Sequence, residues 1–218
     1  MNTCYSRIIG VMLLALLQSC SVLPTPTPVA VEYFTIDVPV APVSGKPAAG
    51  PVLMVARPQV RADLDTPRMA YRQQDYTLRY YARSRWADTP AQLLLPSMVE
   101  SLEASGQFAA VLRAGSAATP ALRLDTDLLE FSQDYRTQPN QFQIRLHAQL
   151  TDLRTRRVVA STTFVAANPA TEQSPYAGAA AANAAWKSVL TELVGFCTQA
   201  LPTLEPASAS VTAPAVND

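Results

Sequence analysis

The first residues whose type and spacing point to chemistry are Leu17-Gln18-Ser19-Cys20, at the end of the apolar run Ile8 to Leu17. The stretch before that run carries Arg7 and no acidic residue, and the run is far shorter than the ~20 residues that cross a bilayer. Together these have the form of a bacterial lipobox closing a secretory signal. Leu17, Gln18 and Ser19 then precede the cleavage point, and Cys20 is expected to be the lipidated first residue of the mature chain. At ~0.8 kcal/mol per buried methylene, more than one acyl chain gives stable membrane attachment.

Other reactive side chains lack companions. His147 is the single histidine and falls on the polar face of an alternating segment, with no neighbour of metal-ligand or general-base type at a useful spacing. It reads as a solvated strand residue. Asp125 and Asp127 share a strand face, but Arg123 alternates with them, so a charged ladder is expected rather than a carboxylate pair. Cys197 lies in an apolar helical stripe and reads as packing. Arg83, Arg85, Trp86 and Asp88 are the remaining cluster. In the structural reading Trp86 enters the core at a helix start that Asp88 caps; in the functional reading the four form a partner contact through Arg83 and Arg85. No phosphate-cradling loop, Gly-x-Ser-x-Gly turn or Cys/His metal pattern occurs, so no catalytic residue, metal or cofactor is assigned and the chain is not expected to be an enzyme.

Composition narrows the partners. The chain of 218 residues has seventeen basic and seventeen acidic residues, and removing Arg7 with the signal leaves sixteen against seventeen. Phosphate binding needs a basic surface, so nucleic acid is not an expected partner. Cys4 leaves with the signal and Cys20 is the lipid site, so Cys197 has no thiol left to pair with. Ser21, rather than Asp, follows Cys20, which resembles the sorting pattern of lipoproteins held in the outer membrane with the body on the periplasmic face.

The elements that must position these residues follow from periodicity. Residues 1–19 are read as the signal and 20–31 as the lipidated cysteine with a Pro/Thr spacer, in which Pro24, Pro26 and Pro28 alternate with threonines. About ten extended residues at ~3.1 Å each reach on the order of 30 Å. A single domain over 32–201 follows, then a tail over 202–218 with no periodicity, expected to be disordered. Within the domain, Glu32 to Val38 and Val52 to Ala56 read as strands, the second central, and Arg68–Arg72 with Tyr76–Tyr81 as a hairpin. Ala91 to Ser105 reads as a helix with Asp88 or Thr89 at its cap, Pro90 at its first position, Gly106 past its end and Pro96 inside. Phe108 to Arg113 is a short strand. Strict alternation over 122–128, 142–150 and 158–166 predicts an antiparallel meander. Trp186, Val189, Leu190, Leu193, Phe196 and Cys197 form the apolar stripe of a last helix, Tyr176 to Leu201, whose alanine-rich first half lets another backbone approach closely. The class is α+β: a mostly antiparallel sheet with two main helices.

Taken in order, the strand Val52 to Ala56, Asp63-Leu64-Asp65, Met69-Ala70-Tyr71-Arg72, Arg85-Trp86-Ala87-Asp88 with its helix, Leu122 to Phe131 and Val158-Val159-Ala160-Ser161 resemble the ABC-type transport auxiliary lipoprotein family, which includes the PqiC (YmbA) lipoproteins. The similarity runs from about Tyr33 to Leu201. Members commonly carry a proline shortly before the Leu-Asp element; Arg61-Ala62 stand here, so the local turn is expected to differ. The resemblance implies a fold similar to the N-terminal domain of TolB. It also implies a non-catalytic outer-membrane lipoprotein serving an inner-membrane ABC permease and ATPase and its MCE-domain protein, in transport of lipid or other apolar solutes between membranes. The alternative is a periplasmic carrier that itself holds a lipid between helix and sheet. Self-association into a ring is compatible with the single-sided strands.

Overall fold

The alternating segment that begins at Leu122 becomes the spine of the sheet. The computed structural model describes residues 30–40 and 49–201; the signal with Leu17, Gln18 and Ser19, the lipid site Cys20, the spacer to residue 29 and the tail 202–218 lie outside the described residues. The strands are β1 (Glu32–Phe34), β2 (Val52–Val55), β3 (Gln59–Val60), β4 (Arg68–Arg72), β5 (Arg79–Trp86), β6 (Ala110–Arg113), β7 (Leu122–Asp134), β8 (Gln141–Asp152) and β9 (Arg157–Pro169). Helix α1 (Pro90–Ala104) joins β5 to β6, and α2 (Pro175–Gln199) follows β9.

One edge of β7 pairs with β8 along its whole length, and β8 with β9, which is the antiparallel meander that the alternation predicts. The other edge of β7 is shared by β2, β3 and β4 in turn, all parallel. β2 also takes β6 in parallel, β4 takes β5 antiparallel, and β5 takes β1 in parallel. The sheet is therefore mixed, with its two longest ladders antiparallel. Parallel neighbours need a crossover, which α1 supplies between the hairpin and β6.

Two local features bend the expected periodicity. Leu122, Leu124, Thr126 and Leu128 point to the helices, but the register shifts between Leu128 and Glu130, so Phe131 rather than Glu130 is the next inward residue. The Leu129 carbonyl at this bulge accepts from Arg61 Nη1 at 3.3 Å. The first strand is shorter than the alternation over 32–38 suggests. After Phe34 the chain leaves β5 and runs along α2, where Asn183 accepts from the Asp37 amide at 2.7 Å and donates to the Thr35 carbonyl at 3.1 Å. Likewise β6 starts at Ala110, not Phe108, although Phe108 is buried.

Both helices lie on one face of the sheet. In α1, Leu94, Met98 and Leu102 are fully buried, Pro96 is accommodated inside the helix, and Gly106 follows at φ +64° where a side chain would be strained. Thr89 is the N-cap residue, yet neither it nor Asp88 caps through its side chain as expected; Asp88 Oδ1 accepts from the Thr89 amide at 2.6 Å, short of the helical turn. In α2, Trp186, Val189, Leu193 and Cys197 are fully buried, and Trp186 Nε1 donates to Ser97 Oγ of α1 at 2.8 Å. The Cys197 thiol is pushed up to about 12 by burial alone, which fits a packing residue.

Candidate functional site

The block 83–88 sits on β5 and on the turn into α1, and the two faces of β5 divide it. Trp86 is 1% exposed and its ring lies 5.1 Å from that of Phe131 and 6.0 Å from that of Phe142, an edge-and-tilt cluster typical of core aromatics. Its amide donates to the Pro67 carbonyl at 2.7 Å. Trp86 therefore offers no surface, whereas Arg83 and Asp88 are exposed and Arg85 is half-buried.

Pairing register brings two further residues beside Arg85. Tyr33 of β1 stands opposite Arg85 on one side and Arg68 of β4 on the other. Tyr33 is 68% exposed, and the Arg68 guanidinium lies 3.9 Å from the centre of the Tyr80 ring. Neither Tyr33 nor Arg68 stands out in the sequence, because a cross-strand neighbour leaves no local signal; only the register reveals them.

A second candidate is a groove of about 340 Å³, open to solvent, between the C-terminal turns of α1, the second half of α2 and the segment Val38-Pro39-Val40. Ala104, Leu190 and Val194 give it apolar walls, and Ser101, Thr191 and Lys187 stand among the lining residues. A third is polar: at the end of β7, Tyr81 donates to Gln133 Oε1 at 2.9 Å and shares a short hydrogen bond with the Tyr135 hydroxyl, and Gln133 Nε2 donates to Asn140 Oδ1 at 2.6 Å. Burial first, then the Tyr135 hydrogen bond, raises the Tyr81 phenol well above its ordinary value, so it stays protonated. This network is saturated by its own members and reads as structural.

His147 lies on the open face within hydrogen-bond reach of Thr163 Oγ1 at 3.1 Å and Ser161 Oγ at 3.3 Å. Asp127 faces it across the ladder but makes no hydrogen bond to it among the described residues, and Asp125 is held by Arg123 at 2.6 Å. No group of three or more His, Cys, Asp or Glu among the described residues is placed to hold a metal. No helix among them is long and apolar enough to cross a membrane.

Comparison with known proteins agrees with the architecture. The crystal structure of protein XCC0632 from Xanthomonas campestris is 33% identical, with a TM-score of 0.70, covering 78% of this chain and 96% of that one. An uncharacterized protein of known structure shares the fold at 13% identity and a TM-score of 0.61, over 77% of this chain and 98% of its own. No curated protein matches. The model of the ABC-type transport auxiliary lipoprotein component matches residues 34–194, from the end of β1 into the last turns of α2, and the chain belongs to that family.

Proposed function

We propose that the protein is an outer-membrane lipoprotein whose periplasmic body docks on a component of an ABC/MCE-type system moving lipid or other apolar solutes between membranes. The observation that carries this reading is the family match over almost the whole folded body, with Leu17-Gln18-Ser19-Cys20 directly upstream. Acyl chains on Cys20 hold one end, the Pro/Thr spacer gives reach, and the sheet domain supplies the docking surface. In this reading Arg83, Arg85 and Asp88 belong to the contact, and Trp86 fixes the backbone beneath them. The partners are the MCE-domain protein and the ABC permease and ATPase.

Replacing the thiol tests the anchor: Cys20→Ala should move the body from the membrane to the soluble periplasmic fraction, and unchanged membrane association would overturn this part. Docking is tested by affinity capture of the wild-type chain from the membranes of its host; recovery of no ABC or MCE component would overturn it.

The groove between α1 and α2 favours a second reading, in which the body itself carries lipid. Its volume of about 340 Å³ is at the small end of ligand sites. Native mass spectrometry without a co-purified lipid would count against this carrier role and leave docking intact.

A further inference from the structure

We propose that the row Tyr33–Arg85–Arg68, with Arg83 beside it, is an anion-docking site that receives Asp or Glu side chains of the protein partner. The proposal rests on the docking reading above and specifies the chemistry of the surface.

Arg61, Arg72, Arg123, Arg136 and Arg154 each have a carboxylate within 4.0 Å, from Asp63, Glu130, Asp125, Asp75 with Asp134, and Asp152 respectively. Among the described residues Arg68, Arg83 and Arg85 take part in no ion pair, although Glu32, Asp65 and Asp88 are exposed on the neighbouring segments. Arg57, Arg79, Arg113, Arg145, Arg156 and Arg157 also take part in no ion pair among the described residues; what sets Arg68 and Arg85 apart is that they stand opposite each other on paired strands, while the arginines named first are matched locally. Two arginines directly opposite on an antiparallel pair repel, so this arrangement costs stability unless an anion lies between them.

The row is also accessible, and one of its arginines is held in place. Stacking on Tyr80 fixes the Arg68 guanidinium, so that side chain has less rotamer freedom to lose on binding. Tyr33 gives the exposed aromatic rim common at protein contacts. A planar carboxylate suits the fork of each guanidinium.

The test uses the full chain in neutral detergent and fluorescein-labelled hexaglutamate as probe, followed by anisotropy. Hexaglutamate should bind the wild type in a salt-sensitive way, and Arg68→Gln with Arg85→Gln should weaken it by about tenfold or more. Arg123→Gln, which removes an already paired arginine of the same sheet, should leave binding unchanged. In the absence of probe, either single Gln variant should melt at or above the wild-type temperature, because a repulsion is relieved; this also shows that the variant folds. Equal binding by the double variant would overturn the proposal, as would binding of dihexanoyl phosphatidylglycerol in preference to hexaglutamate, which would make the row a lipid-headgroup contact. A wild type that binds hexaglutamate yet captures no transporter component would leave the site standing and remove the docking reading.

Discussion

The buried carboxylate Asp134 shows how single residues carry stability here. It ends β7 with 3% of its side chain exposed, and Arg136 two residues on clamps it with Nε to Oδ1 at 2.9 Å and Nη2 to Oδ2 at 2.8 Å. The Arg136 amide at 2.9 Å and Gln143 Nε2 at 3.1 Å add two more donors. The Arg136 hydrogen bonds outweigh burial and hold the Asp134 carboxyl below its ordinary value. For Asp152, burial is the largest single influence and opposes ionisation, but Arg154 and two backbone amides together still hold it down. A depressed carboxylate contributes stability that is present above its unfolded value of ~3.9 and disappears as pH falls through the folded value. The urea midpoint should therefore stay level from neutrality to about pH 4 and drop below it. Asp134→Asn should lose about 1–3 kcal/mol at neutral pH, from the weakened clamp, and show a shallower acid limb, with Asp152 sustaining the remainder. An acid limb as steep in Asp134→Asn as in the wild type would remove Asp134 from this account.

At the scale of elements, α2 depends on how closely its first half approaches the sheet. Ala177, Gly178, Ala181, Ala182 and Ala185 are buried there, and a Cβ on Gly178 would overlap the amide oxygen of Gln133. Gln133 cannot turn away freely, because its amide is bonded to Tyr81 and Asn140. Gly178→Ala would gain ~1 kcal/mol of helix propensity and still destabilise by about 1–2 kcal/mol, because displaced Gln133 leaves buried partners unmet. In urea unfolding the double variant Gly178→Ala, Gln133→Ala should cost less than the sum of the singles; strict additivity would show that the two residues do not meet. The close approach itself was legible as an alanine run, and the β7–β9 ladder as period-two alternation, since both are local patterns. The parallel pairings on the other edge of β7 were not, because which strand lies beside which leaves no mark within a strand. For the same reason Arg83 and Arg85 could be singled out from one stretch, but Arg68 and Tyr33 could not. The end of β1 at Phe34 was hidden too, since Asn183, far along the chain, supplies the hydrogen bonds that draw residues 35–37 off the sheet.

At the scale of the whole molecule, the sheet buries one face under its helices and leaves outer strands of very different length, β1, β6 and β9 among them. β1 has three residues and β6 four, whereas β9 has thirteen and pairs only with β8 among the described residues. Free edges are usually blunted by charge, proline or short length. Along β9 the single charged residue is Arg157, proline comes only at the last position, and Val158 and Val165 are 53% and 67% exposed. Such an edge offers unpaired amides and carbonyls to a second copy of the chain, so self-association through β9 is the expected outcome. Sedimentation velocity of the full chain in neutral detergent should show a protein mass above the monomer that grows with concentration. Val165→Lys places a charge in the middle of the edge without touching the helix-covered face, and should return the mass to the monomer while leaving the melting temperature within a few degrees. A wild type that stays monomeric at high concentration, or an assembly indifferent to Val165→Lys, would mean that β9 is shielded in some other way and that any oligomer forms through a different surface.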